Sequence, residues 1–135
     1  METETIPNDI TVFYTPASSF PEGIMAAHEK LHSLVPFSLD RKYFGVSRPE
    51  NGKIQYKAAA EELTPGEGEK YHCKTLVIKR GKYISTTVKD YAKDKQSIQY
   101  AFQQLLEQPG LDPQGYCVEW YNSPKDVKCM IRLEQ

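Results

Sequence analysis

Apolar and polar positions change their period along the chain, and these changes predict alternating strands and helices. Residues 10–14 (ITVFY) form a short β-branched and aromatic run, which is typical of a strand. Apolar side chains then recur at helical spacing until Pro36, which ends the pattern. The positions concerned are Ile24, Ala27, His28, Leu31, Leu34 and Val35. This first part therefore predicts a strand followed by an amphipathic helix.

A hairpin is predicted next. Segments 42–48 (KYFGVSR) and 53–60 (KIQYKAAA) flank the dipeptide Asn51-Gly52, a strong signal for a tight turn between two antiparallel strands. Residues 1–9 are polar and are predicted to be a tail. The first half thus has the order strand, helix, hairpin.

The second half repeats that order after segment 63–70 (LTPGEGEK), which has the composition of a linker. Residues 82–88 (KYISTTV) predict a strand, and an apolar stripe that stops at Pro109-Gly110 predicts the clearest helix of the chain. A hairpin over 115–134 closes the unit. The stripe consists of Ile98, Ala101, Phe102, Leu105 and Leu106.

The repeated order predicts one α+β domain over 1–135, built from duplicated βαββ units with pseudo-twofold symmetry. The halves are expected at about 10–61 and 74–134, joined by a linker at about 62–72. Two units of this kind can join their antiparallel sheets, with two helices on one face and a ligand groove on the other. A longer array is not expected, because solenoids need three or more repeats to bury their faces.

The terminal hairpin carries an acid in an aromatic strand. In an extended strand Cys117, Glu119 and Tyr121 share one face, while Val118 and Trp120 share the other. A carboxylate buried there needs a partner or takes up a proton more readily. It could accept hydrogen bonds from backbone donors, pair with a lysine or arginine, or meet a ligand. Trp120 is predicted to be a core residue beneath the helices.

Composition narrows the classes of function. The chain has 135 residues, 39% hydrophobic and 26% charged, with a net charge of -1, which suits one globular domain. A net charge this close to zero gives no excess of basic residues to bind a phosphate backbone, so direct nucleic-acid binding is not expected. No apolar run is long enough to span a bilayer, and residues 1–8 lack the features of a signal peptide. We therefore expect a cytoplasmic protein without membrane contact.

The sequence contains two sets of side chains that could bind a metal, its three cysteines and the two histidines of HEKLH. Cys73, Cys117 and Cys129 are odd in number and lack CxxC spacing, which favours reduced thiols over disulfides or a zinc ribbon. His28 and His32 frame HEKLH, which matches the zinc-hydrolase pattern H-E-x-x-H. Its apolar surroundings and the missing third histidine favour an ordinary amphipathic helix. No metal and no cofactor are expected.

Several segments of the second half resemble the GyrI-like small-molecule-binding domain. They are Arg80-Gly81-Lys82-Tyr83, a helix ending in Leu105-Leu106, Val118-Glu119-Trp120-Tyr121, and the closing strand at 129–133. That family includes the DNA gyrase inhibitory protein and the effector-binding domains of multidrug-sensing MerR-type and AraC-type regulators. Unlike those regulators, this sequence carries no DNA-binding domain, so a standalone binding protein is expected.

The resemblance implies a ligand and a site. The ligand would be a hydrophobic, often cationic and aromatic small molecule, with the family's strand acid carried onto Glu119. Tyr121 shares its face, and Tyr14, Tyr56 and Tyr83 are candidate groove aromatics. An alternative on the same scaffold is a hydrolase that opens electrophilic strained rings of the cyclopropanoid kind, with Glu119 and Tyr121 as its catalytic residues. A protein partner such as DNA gyrase is a further possibility that the resemblance raises.

Overall fold

The computed structural model of the protein describes residues 1–94 and 96–135. Its eight strands and three helices follow the order ββαββ, a short connecting helix, and ββαββ again, with a 3-10 turn at Tyr91–Lys93 before the last long helix. The elements are β1 (Glu2–Ile6), β2 (Ile10–Pro16), α1 (Ile24–Leu34), β3 (Tyr43–Glu50), β4 (Lys53–Glu61), α2 (Glu67–Lys70), β5 (Lys74–Ile78), β6 (Gly81–Val88), α3 (Ser97–Leu106), β7 (Cys117–Trp120) and β8 (Val127–Arg132).

All the strands form one antiparallel sheet in the order β1-β6-β8-β7-β3-β4-β2-β5. The two halves meet at its centre, where β3 pairs with β7 and places Gly45 opposite Glu119. Corresponding strands of the two halves lie at equal distances from this seam. The predicted α+β class is confirmed, while duplication of an ancestral unit stays a prediction.

Helices α1 and α3 cover the same face of the sheet. Ala27 and Leu31 of α1 pack against Phe13 of β2 and against Ala58 and Ala60 of β4. Leu105 of α3 packs against Val127, Cys129 and Ile131 of β8. Residues that face each other on paired strands share a face, so Gly45 and Glu119 lie on this helix-covered side between the two helices.

The face away from the helices also carries a packed core, and the position of the ligand groove stays a prediction. Eight buried residues form one cluster there, because the alternate positions of the strands are apolar on this side as well. The cluster consists of Val12, Phe44, Val46, Ala59, Ile78, Tyr83, Val118 and Met130. A cavity of about 790 Å³ lies on the helix side, and one of about 370 Å³ lies on this face, where Tyr83 and Val118 line it.

The two edge strands have weak sequence patterns. The predicted polar tail contains β1, which pairs with β6, and β5 pairs with β2 from Lys74 onwards. Both are edge strands with partly solvated polar side chains, so neither shows a clean apolar alternation.

The predicted linker is anchored to the rest of the fold. It contains α2, whose Glu67 accepts two hydrogen bonds of 2.7 Å from the guanidinium of buried Arg41. Over the described residues, no helix has the length and hydropathy to cross a membrane.

Candidate functional site

Glu119 is a buried carboxylate held by two tyrosine hydroxyls. Only 8% of the residue is exposed. The hydroxyl of Tyr56 donates a hydrogen bond of 2.8 Å to Oε1, and the hydroxyl of Tyr121 donates a second one of 2.5 Å to the same oxygen. Across residues 1–94 and 96–135, no lysine or arginine forms an ion pair with it, and no donor reaches Oε2. The acid therefore keeps an unpaired charge and a free oxygen when it is ionised.

Gly45 makes room for this arrangement. A Cβ atom at position 45 would lie 2.0 Å from the hydroxyl oxygen of Tyr56 and 2.5 Å from Oε1 of Glu119. Real Cβ atoms do not approach other atoms so closely, because protein interiors are already packed like crystals. The absence of a side chain at the centre of β3 therefore lets the phenol and the carboxylate meet above the strand.

His28 connects helix α1 to the acid through Tyr56. Its Nε2 lies 2.8 Å from the hydroxyl oxygen of Tyr56. Since that hydroxyl donates its only hydrogen to Glu119, the imidazole must carry the proton on Nε2 and donate it. The ring also stands edge-on to Tyr121, with centroids 5.4 Å apart. A chain of donors thus runs from His28 through Tyr56 to Glu119.

Burial moves the pKa values of these groups in opposite directions. Desolvation raises the pKa of Glu119 above its ordinary value, although the hydrogen bonds from Tyr121 and Tyr56 work against the rise. Desolvation, with the nearby His32 charge, lowers the pKa of His28 to about 4. The pKa values of Tyr56 and Tyr121 are raised by burial and by the carboxylate charge. At neutral pH the imidazole is consequently neutral and both phenols keep their protons.

A cavity of about 790 Å³ opens directly beside this cluster. That volume lies within the usual range for small-molecule sites. Helix α1, the segment that follows it, the start of β3 and the β7–β8 loop form its walls. Tyr121 and His28 belong to the wall, and Glu119 lies behind them. The lining residues are Ile24, Met25, His28, His32, Phe37, Ser38, Leu39, Arg41, Lys42, Tyr43, Tyr91, Trp120, Tyr121, Asn122, Ser123 and Pro124.

The cavity wall is rich in stacked rings. Tyr43 stacks on Phe37 with centroids 5.5 Å apart, and His32 lies 5.1 Å from the same tyrosine. Tyr91 meets Tyr121 edge-on at 5.8 Å. Rings arranged in this way offer flat apolar surfaces and electron-rich faces, which suit aromatic and cationic groups.

Two cationic residues also line the cavity, and both already interact with other groups of the protein. The guanidinium of Arg41 pairs with Glu67 and donates to the carbonyl of Glu61. The ammonium of Lys42 lies over the ring of Trp120, 5.8 Å from its centroid. Among the described residues no acid lines the cavity itself, and Glu119 lies behind Tyr121 and His28.

The predicted site residues divide between the two faces. Glu119, Tyr121 and Tyr56 come together as described. Tyr14 and Tyr83 lie on the opposite face: Tyr83 belongs to the packed core there and Tyr14 packs against it. The hydroxyl of Tyr83 donates to the carbonyl of Lys79. Strand alternation is the reason, since these two tyrosines occupy positions of β2 and β6 whose side chains point away from the helices.

Trp120 also differs from its predicted place. It packs against the core on the face away from the helices and lies near Phe44, at a centroid distance of 6.4 Å. Because it stands at the end of β7, it reaches the cavity wall as well. Cys117 and Cys129 are on the helix side, where burial raises their pKa values to about 11 and 12, so both remain thiols at neutral pH.

The HEKLH segment does not form a metal centre with its neighbours. Among the residues that the structure describes, no group of three histidines, cysteines, aspartates or glutamates is close enough to hold a metal. His28 is engaged with Tyr56, and His32 packs against Tyr43. The two imidazoles instead form part of the cavity wall.

Gly45, His28 and the segment after α1 are the parts of the site that the sequence did not predict. A glycine inside a strand often marks a close approach of other atoms, and this was the available signal for Gly45. The sequence places His28 in the helical apolar pattern and in the H-E-x-x-H pattern. Its role towards Tyr56 depends on a contact across 28 residues of chain.

Comparisons with known proteins identify solved structures with a similar fold but no family to which the chain can be assigned. No family model matches the sequence, and no curated protein matches it closely enough to count as a relative. Solved structures do share the fold. An integron cassette protein from the mobile metagenome of Vibrio cholerae has a TM-score of 0.72 at 15% identity, over 98% of this chain and 95% of that one.

Two further solved structures share the fold. SAV2435 bound to tetraphenylphosphonium has a TM-score of 0.73 at 10% identity, over 98% of this chain and 93% of that one. A proposed bacterial transcription regulation protein from Staphylococcus aureus MU50 has a TM-score of 0.60 at 10% identity, over 99% and 97% of the two chains. At these identities the likeness concerns the fold, and one protein with that fold holds a hydrophobic cation.

Proposed function

We propose that this protein binds hydrophobic, aromatic cations in the cavity beside Glu119, as a domain of the GyrI-like kind. The observation that carries the proposal is the carboxylate itself, which is buried, unpaired by any described cation and adjacent to a ring-lined cavity. An ionised carboxylate in a medium of low polarity is costly when no countercharge is near. A cation that enters the cavity supplies that countercharge.

The surrounding groups favour a cation over other ligands. The stacked rings around Tyr43 and Tyr121 offer π-faces to a flat cationic molecule. His28 is neutral at physiological pH, so it does not compensate the carboxylate. The tetraphenylphosphonium held by SAV2435 is a molecule of this class, which supports the same ligand class here.

A binding experiment with a charged and a neutral ligand tests the proposal. We expect tetraphenylphosphonium to bind more tightly than neutral triphenylphosphine oxide, and Glu119→Gln to weaken only the cation, by about 1–3 kcal/mol. Glu107→Gln, which removes an exposed acid from the end of α3, is the matched control for net charge. Equal losses for both ligands in Glu119→Gln would refute an electrostatic role for Glu119.

A hydrolase that opens strained electrophilic rings is the second candidate. It is favoured by the raised pKa of Glu119 and by the donor chain from His28, because such groups can move a proton to or from a reacting molecule. Turnover of a cyclopropanoid electrophile that disappears in Glu119→Gln would support the enzyme. Tight cation binding without turnover would support the binding protein. The DNA gyrase partner stays a prediction that a pull-down experiment can test.

A further inference from the structure

The rim of the cavity is apolar and strongly exposed. Leu39, Met25 and Phe37 are exposed by 92%, 72% and 68%, and all three line the cavity. Across 1–94 and 96–135 they are the three most exposed large apolar side chains. Monomeric proteins rarely gather such side chains at one place without a binding partner for them.

This rim continues the aromatic wall of the cavity. Phe37 stacks on Tyr43 with an interplanar angle of 8°. The backbone N–H of Tyr121 donates a hydrogen bond to the carbonyl of Tyr43. Tyr121, which contacts Glu119, and Tyr43, on which Phe37 stacks, are therefore neighbours across the two strands. An apolar path therefore runs from Tyr121 past Tyr43 and Phe37 to Leu39.

Charge gives this path a direction. The acid lies at the inner end, where Glu119 has no cationic partner among the described residues. Exposed Lys42 also lines the cavity and disfavours a cationic group beside it, whereas buried Arg41 is already paired with Glu67. A molecule that matches both ends has its positive charge inside and its apolar part outside.

We infer that the site accepts cationic amphiphiles, in which a positively charged head lies against Tyr121 and His28 and a flexible hydrocarbon tail leaves across Phe37, Met25 and Leu39. This deepens the proposed function and rests on it. The thioether chain of Met25 adapts to tails of different shape, since methionine has several rotatable bonds and a polarizable sulfur. The tail covers apolar side chains that otherwise face water.

A homologous series of alkyltrimethylammonium ions, from hexyl to dodecyl and below their micellar concentrations, tests the inference. Each added methylene that becomes buried is expected to raise the affinity about fourfold, which corresponds to about 0.8 kcal/mol. In Leu39→Ser and Phe37→Ser the affinity should rise less with tail length, so that the loss relative to the unchanged protein grows from the hexyl to the dodecyl compound. Leu106→Ser, an exposed leucine of α3 away from the cavity, is the matched control.

The same series separates this inference from the proposed function. Glu119→Gln should lower every affinity by one common factor and leave the gain per methylene unchanged. If Glu119→Gln has no effect but the rim variants reduce the gain in affinity per methylene, the proposed cation site is wrong and the inferred position of the tail is supported. If the rim variants leave the gain per methylene intact, the tail path is overturned and the cation site stands.

Two other occupants of the rim would overturn the inference. Wild-type protein that sediments as a dimer, with dimerisation lost in Leu39→Ser, would assign the rim to a second copy of this chain. Wild-type binding to vesicles of phosphatidylglycerol, lost in Phe37→Ser without any change in the alkyl series, would assign it to a lipid surface. A monomer that ignores vesicles and shows the expected tail dependence supports the amphiphile.

Discussion

The hydroxyl of Tyr56 lies 2.8 Å from Oε1 of Glu119, although 63 residues of chain separate the two. Tyr56 belongs to the first hairpin and Glu119 to the last, and the seam between β3 and β7 brings them together. The contact joins the two halves of the chain at the place where the cavity begins. Changes to either residue should therefore affect both the stability of the seam and the affinity for a ligand.

Adding one methyl group at position 45 tests how tightly this contact is packed. We expect Gly45→Ala to destabilise the protein by about 1–3 kcal/mol, because its Cβ would overlap the hydroxyl of Tyr56 and Oε1 of Glu119. Chemical denaturation measures the loss. In Gly45→Ala/Tyr56→Phe the nearest overlapping atom is gone, so the double variant should be less damaged than the sum of the single variants. Additive losses would contradict the contact.

Removing either hydroxyl leaves the carboxylate with one donor. Tyr121→Phe and Tyr56→Phe should each destabilise the protein by about 1.5–3 kcal/mol at neutral pH, the range for hydrogen bonds to charged groups. Each variant should also raise the pKa of Glu119 further, because a donor to the ionised form is lost. Urea unfolding measures the first effect. In Tyr91→Phe, where no hydroxyl bond to Glu119 is lost, little change is expected.

Cation binding should depend on pH through Glu119. Its pKa in the free protein lies above the ordinary value of 4.5, so the affinity for tetraphenylphosphonium should be full above that raised pKa and fall as the pH drops through it. Below about pH 4 protonated His28 adds a positive charge to the wall and opposes the ligand. His32, Arg41 and Lys42 also face the cavity. Titrations across the acid range measure the profile, and a Glu119→Gln profile of the same shape would refute it.

Stability without ligand should show the opposite pH trend for the same residue. Between 4.5 and the raised pKa of Glu119, the folded state holds a proton that the unfolded state has lost. Stability attributable to this group therefore declines as the pH rises through that window. Comparison of unfolding curves for wild type and Glu119→Gln isolates the decline. A difference between the two proteins that does not vary with pH would contradict the raised pKa.

The ion pair between Arg41 and Glu67 should give stability the opposite pH dependence, so that this contribution decreases as the pH falls. Hydrogen bonds from Arg41 lower the pKa of Glu67 to about 2, so the stability that this pair adds is present above 4.5 and lost as the pH falls towards 2. Glu67→Gln should remove this acid dependence. It should also destabilise the protein at neutral pH by about 3–5 kcal/mol, since it leaves a buried guanidinium without its countercharge. Glu69→Gln on the same short helix is the control.

The sequence alone determined most of the secondary structure in the interior of the sheet. Helical spacing located α1 and α3, and Asn51-Gly52 located the hairpin between β3 and β4, because these signals act within a few residues. Edge strand β1 was missed, since it is stabilised by hydrogen bonds to a distant partner and most of its side chains are polar. The α+β class followed from the order of the elements.

For the site, the sequence identified Glu119, an acid whose burial is unfavourable without a partner, and its aromatic neighbour Tyr121. Alternation within a single strand is enough to place these two side chains on one face. Which other side chains surround that acid was decided by the tertiary structure. The pairing of β3 with β7 brought Gly45 and Tyr56 to Glu119, and the packing of α1 added His28. The register of β2 with β4 and of β6 with β8 placed Tyr14 and Tyr83 on the opposite face. Alternation is a local property, whereas the face that a strand presents to a helix depends on sheet register and on contacts made far along the chain.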